Sequence, residues 1–182
     1  MAKMIAPRWR SYKGGQRDLR QGRFSEAGLY YFLTTGTKDR QPLFLHPPAA
    51  QIVLDTLKWL DHHGRITLVA AVVMPDHLHF VAQLKGSRLE AAPTSTKTKD
   101  GVPPKATTLS KLMHSLKSYT ANKINKALGR RGQVWERQYY ERGIRGDKAL
   151  FETIRYCLEN SVREGLVDDF RKYPYWYCMY DL

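Results

Sequence analysis

Two histidines stand one residue apart in Met74-Pro75-Asp76-His77-Leu78-His79-Phe80, directly after the oily run Leu68-Val69-Ala70-Ala71-Val72-Val73. Alternate side chains of a strand share a face, so His77 and His79 stand side by side while Leu78 and Phe80 point the other way. Two imidazoles so placed could ligate one metal ion. They could equally be ordinary surface histidines, because a His-x-His triplet alone says little. Two things favour the first reading: the tight turn at Pro75-Asp76 fixes the strand's register, and the chain offers partners elsewhere. Chemistry on a phosphodiester needs a nucleophile, and covalent catalysis splits one hard displacement into two easier ones. Among the eleven tyrosines, Tyr119 and Tyr156 fall on expected helices away from the aromatic tail. Tyr119 is followed four residues later by Lys123, which cannot bind a cation. Tyr156 is followed by Asn160, whose carbonyl oxygen can, and residues four apart share a helix face. Tyr156 and Asn160 together could supply a nucleophile and a third ligand, or Tyr156 could be a plain surface tyrosine.

The elements that must position these side chains follow from periodicity and turn chemistry. Leu29-Tyr30-Tyr31-Phe32-Leu33-Thr34-Thr35 reads as a strand. The face formed by Ile52, Val53, Thr56, Leu57 and Leu60 predicts a helix from Ala49 to His62, stopped at Gly64. Arg65 to Met74 reads as a buried strand, and His77 to Leu84 as its antiparallel return. Residues 86–108, rich in Gly, Pro, Thr, Lys and Ser, read as a long flexible loop. Leu109, Leu112, Met113, Leu116 and Thr120 mark a second helix ending near Gly129. Gln133 to Ile144 reads as a strand in which Trp135, Tyr139 and Tyr140 serve the core. A third helix, capped by Asp147, is expected to run to about Arg163. Its stripe of Leu150, Ile154, Cys157 and Leu158 leaves Tyr156 and Asn160 roughly opposite the core. If that stripe packs on the sheet, the tyrosine should point away from the histidines. The helix must then dock at an edge or come from a second subunit.

The order β-α-β-β-α-β-α gives an α+β chain: a ferredoxin-like, split βαβ antiparallel sheet with helices on one face, plus an added C-terminal helix bearing the tyrosine. The histidines are expected on the open face. Residues 1–23 read as a basic flexible arm, 24–167 as the domain, and 168–182 as an irregular aromatic tail.

The chain has 182 residues, 42% of them hydrophobic, enough for one core. Its formal charge of +13 draws polyanions, nucleic acid first among them. No apolar run is long enough to span a bilayer, and basic residues interrupt the first 23 positions, unlike a secretory leader. Two cysteines, Cys157 and Cys178, form neither a disulfide framework nor a zinc pattern, which suits a reducing cytoplasm. Phosphate contact is expected of Lys117, Arg130 and Arg131, and of Arg8 and Arg10 in the arm.

These motifs resemble a known family. His77-Leu78-His79 looks like the HUH motif, and Tyr156-Cys157-Leu158-Glu159-Asn160 looks like the Y-x-x-x-N/Q segment of single-tyrosine HUH transposases of the IS200/IS605 type. The REP-associated tyrosine transposase branch is closer still. Its members resemble Tyr30 to Thr35, Met74 to His79, Leu116 to Thr120, Val134-Trp135-Glu136, and Asn160 to Val167, in this order. The resemblance spans roughly Gly28 to Tyr177. It departs at Ser161, where relatives usually carry proline, which lets the helix run on. The resemblance implies a divalent ion, Mg²⁺ or Mn²⁺, held by His77, His79 and Asn160. It implies attack by Tyr156 to give a 5′-phosphotyrosine. The implied substrate is single-stranded DNA bearing REP-like hairpins, handled by a monomer or homodimer. The alternative is a protein of the same fold that binds hairpin DNA or RNA without cutting it.

Overall fold

The computed structural model describes residues 28–85 and 108–181. The arm, with Arg8 and Arg10, and positions 86–107 of the expected loop lie outside the described residues. Among the described residues the strands and α-helices follow in the order β1 (Tyr30–Gly36), α1 (Pro47–His62), β2 (Ile66–Met74), β3 (His77–Leu84), α2 (Leu109–Ala127), β4 (Tyr140–Ile144), α3 (Asp147–Leu158), α4 (Asn160–Arg163) and β5 (Trp176–Cys178).

The sheet order is β4-β1-β3-β2-β5 with every neighbouring pair antiparallel. The first four strands have the split βαβ arrangement: β3 lies between β1 and β2, the strands that α1 connects. The fifth strand corrects the expectation of an irregular tail. Trp176 to Cys178 pairs with Val72 to Ala70 on the free edge of β2. The Tyr173 hydroxyl donates to the Val73 carbonyl at 2.8 Å, and Val73 N–H donates to the Tyr175 carbonyl at 2.9 Å. An edge of Val and Ala would otherwise invite pairing with another chain.

Helices lie on both faces. Leu33, Val73, Leu78, Phe80 and Ala82 pack with Leu57 of α1 and Leu112 and Leu116 of α2. Phe32, Val72, Met74 and Val81 pack on the other face with Leu150, Ile154, Cys157 and Leu158 of α3. The expectation of an open histidine face is therefore overturned. The central strands are apolar on both sides, so both sides require cover. His77 and His79 are only 2% and 1% exposed.

Two further expectations change. Only Tyr140–Ile144 of the predicted strand is strand; Trp135 makes a single bridge to Thr37. The intervening carbonyls of Glu136, Arg137 and Gln138 turn instead to the Lys117 ammonium, at 2.9, 3.5 and 3.0 Å. The core role of Trp135 holds, with its indole N–H donating to the Thr120 hydroxyl at 2.8 Å. The third helix does not run unbroken to Arg163 but turns at Glu159, between α3 and α4. Gly146, with φ +80°, occupies the cap position assigned to Asp147, which is instead the first helical residue.

Candidate active site

Register places the histidines. His79 pairs with Thr34 on one side and Val72 on the other; His77 pairs with Gly36 and Met74. Their rings meet edge to face with centroids 4.6 Å apart. The β2–β3 hairpin turns through Pro75 and Asp76, and this turn is clamped. Thr37 N–H and hydroxyl donate to the Asp76 carbonyl at 2.9 and 3.0 Å, and Phe44 N–H donates to the Pro75 carbonyl at 2.9 Å.

Each Nδ1 has an oxygen partner. His77 Nδ1 lies 2.5 Å from Asp76 Oδ1, and His79 Nδ1 lies 2.7 Å from the Thr34 hydroxyl. A carboxylate only accepts, so His77 carries its proton on Nδ1. Oxygen partners on Nδ1 are the usual supports of an imidazole that ligates through Nε2. The second Asp76 oxygen sits 2.9 Å from Arg40 Nε.

The tyrosine comes from α3. Tyr156 is half-buried, and its ring meets Phe32 edge-on at 5.7 Å; Phe32 in turn stacks on His79 at 5.4 Å. The Arg163 guanidinium lies over the Tyr156 ring, 4.2 Å from its centroid. Tyr156 thus stands one aromatic ring from the imidazole pair within a single chain. The stripe of α3 packs on the sheet as expected, yet Tyr156 is not turned wholly away from the histidines: it flanks the stripe, and its ring meets Phe32, which stacks on His79. Asn160 was expected opposite the core and is instead buried, 3% exposed, at the start of α4. Its Nδ2 donates to the carbonyls of Tyr156 and Cys157 at 2.6 and 3.2 Å, which puts Oδ1 on the other side of the amide. Ser161 is also buried, inside α4.

A cleft of about 350 Å³ opens beside Tyr156, between β4 and α3, lined by Arg142, Arg145, Glu152 and Thr153 among others. Arg142 lies opposite Phe32 in register and donates to the Thr153 hydroxyl at 3.0 Å. The basic residues singled out from the sequence lie elsewhere. Lys117 is engaged by the three carbonyls described above, on the α2 side of the sheet. Arg131 is exposed, and Arg130 faces Gln41 and the Gln133 carbonyl at 3.5 and 3.4 Å. Sequence reasoning missed Thr34, Phe32, Asp76 and Arg40 as supports. Asp76 stood inside the motif and was read only as turn chemistry; Phe32 and Thr34 depend on strand register, and Arg40 on the turn Lys38–Arg40 that follows β1.

Among the described residues, no group of three or more His, Cys, Asp or Glu side chains is placed to hold a metal ion. Nor, among the described residues, is any helix long and apolar enough to cross a membrane.

The fold is thus a split βαβ α+β sheet, with an imidazole pair on one face and Tyr156 on the helix that covers it. No protein-family model matches the sequence. A curated relative, a candidate REP-associated tyrosine transposase of Haemophilus influenzae, is 26% identical over 156 residues, covering 84% of this chain and 80% of that one. A solved REP-associated tyrosine transposase bound to a REP hairpin shares the fold, with a TM-score of 0.58 at 19% identity, over 85% of this chain and 79% of that one. A candidate transposase from Deinococcus radiodurans superimposes at a TM-score of 0.44 and 21% identity, over 78% and 96% of the two chains. The chain is similar to REP-associated tyrosine transposases along most of its length.

Proposed function

We propose that the chain is a metal-dependent single-strand DNA endonuclease and strand transferase, a transposase acting at REP-like hairpins through a 5′-phosphotyrosine. One observation carries the reading. Two imidazoles with engaged Nδ1 atoms and a half-buried tyrosine share one sheet face, separated by a single phenylalanine ring. The similarity to REP-associated tyrosine transposases supports it.

His77 and His79 would hold the divalent ion through Nε2, with the Asn160 carbonyl oxygen as third ligand. Imidazole suits Mn²⁺ better than Mg²⁺. When bound, such an ion supplies Lewis-acid polarisation of the scissile phosphate. Tyr156 supplies the attacking oxygen. Its bond to phosphorus forms as the P–O3′ bond breaks, the phenol proton passes to the departing 3′-oxygen, and the 5′-phosphate stays on the tyrosine. One ester replaces another, so no nucleotide cofactor is consumed. A second 3′-hydroxyl attacking the phosphotyrosine reverses the step and joins strands. Arg142 and Arg145 would grip the backbone beside the nucleophile, Arg130 and Arg131 would contribute phosphate contacts further out, and Arg8 and Arg10 are further candidates for phosphate contact by their charge. Lys117, held by three carbonyls, is better placed to hold structure than to hold DNA.

Incubation with hairpin-bearing single strands and Mn²⁺ should give a DNA-linked protein band on a denaturing gel. Tyr156→Phe should abolish the band and retain hairpin binding, and a chelator should do the same. A band at wild-type level from Tyr156→Phe would move the nucleophile elsewhere. Hairpin binding without any band, under every divalent ion tried, would reduce the chain to a binding module.

A further inference from the structure

Asp39 and Arg40 are consecutive non-glycine residues in the left-handed region, with φ +53° and +57°. L-residues with a Cβ rarely adopt this conformation even singly, and arginine has no special tolerance for it. Such a turn persists only where its surroundings over-determine it, and here they do. Lys38 N–H donates to the Val134 carbonyl at 2.8 Å, Glu136 N–H to the Gly36 carbonyl at 2.9 Å, and Arg40 N–H to the Thr37 carbonyl at 3.1 Å. Asp39 N–H donates to Glu136 Oε1 at 2.9 Å. The result is the placement of one side chain: Arg40 Nε reaches Asp76 Oδ2 at 2.9 Å, while the other oxygen of that carboxylate meets His77 Nδ1. The arginine crosses directly over Gly36, the residue opposite His77, where a Cβ would stand 3.2 Å from Arg40 Nη1.

We propose that Arg40 is a positioning residue. It locks the Asp76 carboxylate against His77, so that His77 keeps its proton on Nδ1 and presents Nε2 to the site. Asp76 is about a quarter exposed, so without the guanidinium water competes for the carboxylate and the His77 tautomer is held less firmly. The guanidinium charge opposes a cation, but it is neutralised by the carboxylate lying between it and the imidazole; loss of orientation outweighs loss of repulsion. The consequence for ion affinity rests on the metal reading above; the tautomer does not.

Arg40→Gly is the informative variant, because glycine adopts the left-handed turn freely and the fold should survive. Arg40→Lys keeps the charge and one donor. In the metal-free protein, long-range ¹⁵N–¹H spectra should show His77 as the single Nδ1–H tautomer in wild type and as a mixture in Arg40→Gly. Mn²⁺ binding, read by electron paramagnetic resonance, should weaken by about 10–100-fold in Arg40→Gly, and less in Arg40→Lys. Because Arg40 acts through Asp76, the Arg40→Gly/Asp76→Asn double variant should bind Mn²⁺ no more weakly than Asp76→Asn alone. An unchanged tautomer, equal or tighter Mn²⁺ binding in Arg40→Gly, or losses that multiply in the double variant each overturn the proposal. A shifted tautomer in a chain whose wild type takes up no Mn²⁺ supports the positioning role and removes the metal reading instead.

Discussion

Phe32 links Tyr156, the proposed nucleophile, to the imidazoles, and Phe32→Leu tests whether that link matters. The ring is 5% exposed, stacks on His79 at an interplanar angle of 15°, and receives the Tyr156 ring edge-on at 87°. Leucine keeps most of the apolar volume, so the large cavity penalty of an alanine is avoided. Both ring–ring interactions disappear, each worth about 0.5–1.5 kcal/mol, or about 1–3 kcal/mol together. For a chain of this size each kcal/mol lowers Tm by about 2–4 °C. The larger effect should fall on chemistry. Tyr156 is held between Phe32 and the Arg163 guanidinium, and with one side gone the phenol swings. A displacement of about 1 Å costs on the order of 10²-fold in rate. Single-turnover formation of the DNA–tyrosine adduct should therefore slow by about 10–100-fold, with hairpin affinity nearly unchanged. An adduct rate equal to wild type, in a variant whose lowered Tm shows that the rings no longer interact, would refute the idea that this ring aligns the nucleophile.

Lys117→Ala should cost about 2–3 kcal/mol in urea unfolding, since its ammonium satisfies three carbonyls, and should leave hairpin affinity within a few-fold. Replacing both Arg142 and Arg145 by alanine should do the reverse. Affinity should fall, and the slope of log K against log salt should flatten by about 0.7 for each single-strand phosphate no longer neutralised. Burial pushes the Cys157 thiol far above its ordinary range, so native alkylation near pH 8 should label half-buried Cys178 first and reach Cys157 only on unfolding. Burial also pushes the Tyr173 phenol up to about 12. Its neutral form contributes fully below the unfolded value of about 10, and that contribution is lost as pH rises through 12. Wild-type stability should therefore fall more steeply between pH 10 and 12 than that of Tyr173→Phe, which at neutral pH should cost about 1 kcal/mol for the missing bond to Val73.

The split βαβ order was legible because each element carried its own period: alternation around His77 to Leu84, and a 3.6-residue stripe through Leu109 to Thr120. The histidine pair was legible because a strand of fixed register forces residues 77 and 79 onto one face. What was not legible is what lies across that face. Phe32, Val72, Met74 and Val81 are apolar at alternate positions to the core facing α1 and α2, yet each is also what any buried strand would carry. Only the docking of α3 shows that both faces are covered. The supports of the site depend on pairings between distant segments, Thr34 with His79 and Arg40 with Asp76, which no local pattern specifies. Lys117 was read as a phosphate contact, and the carbonyls of residues 136 to 138 that its ammonium meets were not legible for the same reason, since they come from another part of the chain.

That both imidazoles are buried constrains how a nucleic acid reaches them. A strand cannot lie flat on a face already occupied by Leu150, Ile154 and Cys157. The cleft where α3 meets β4 is shared by Arg142, Arg145 and Tyr156, and its lining reaches the tyrosine and neither histidine. On the proposed function, phosphates entering there would meet positive charge before Tyr156, and unpaired backbone would fit such a cleft better than a duplex does. If the proposed function holds, a site buried in this way would also exclude water, which would otherwise compete with a 3′-hydroxyl for the phosphotyrosine and turn strand transfer into hydrolysis. The covering helix and the proposed single-strand substrate would then be one requirement. Substitutions that loosen α3 from the sheet, such as Ile154→Ala, should raise hydrolysed product relative to joined product even where total cleavage falls. A constant ratio of the two across a series of such variants would show that exclusion of water is achieved elsewhere.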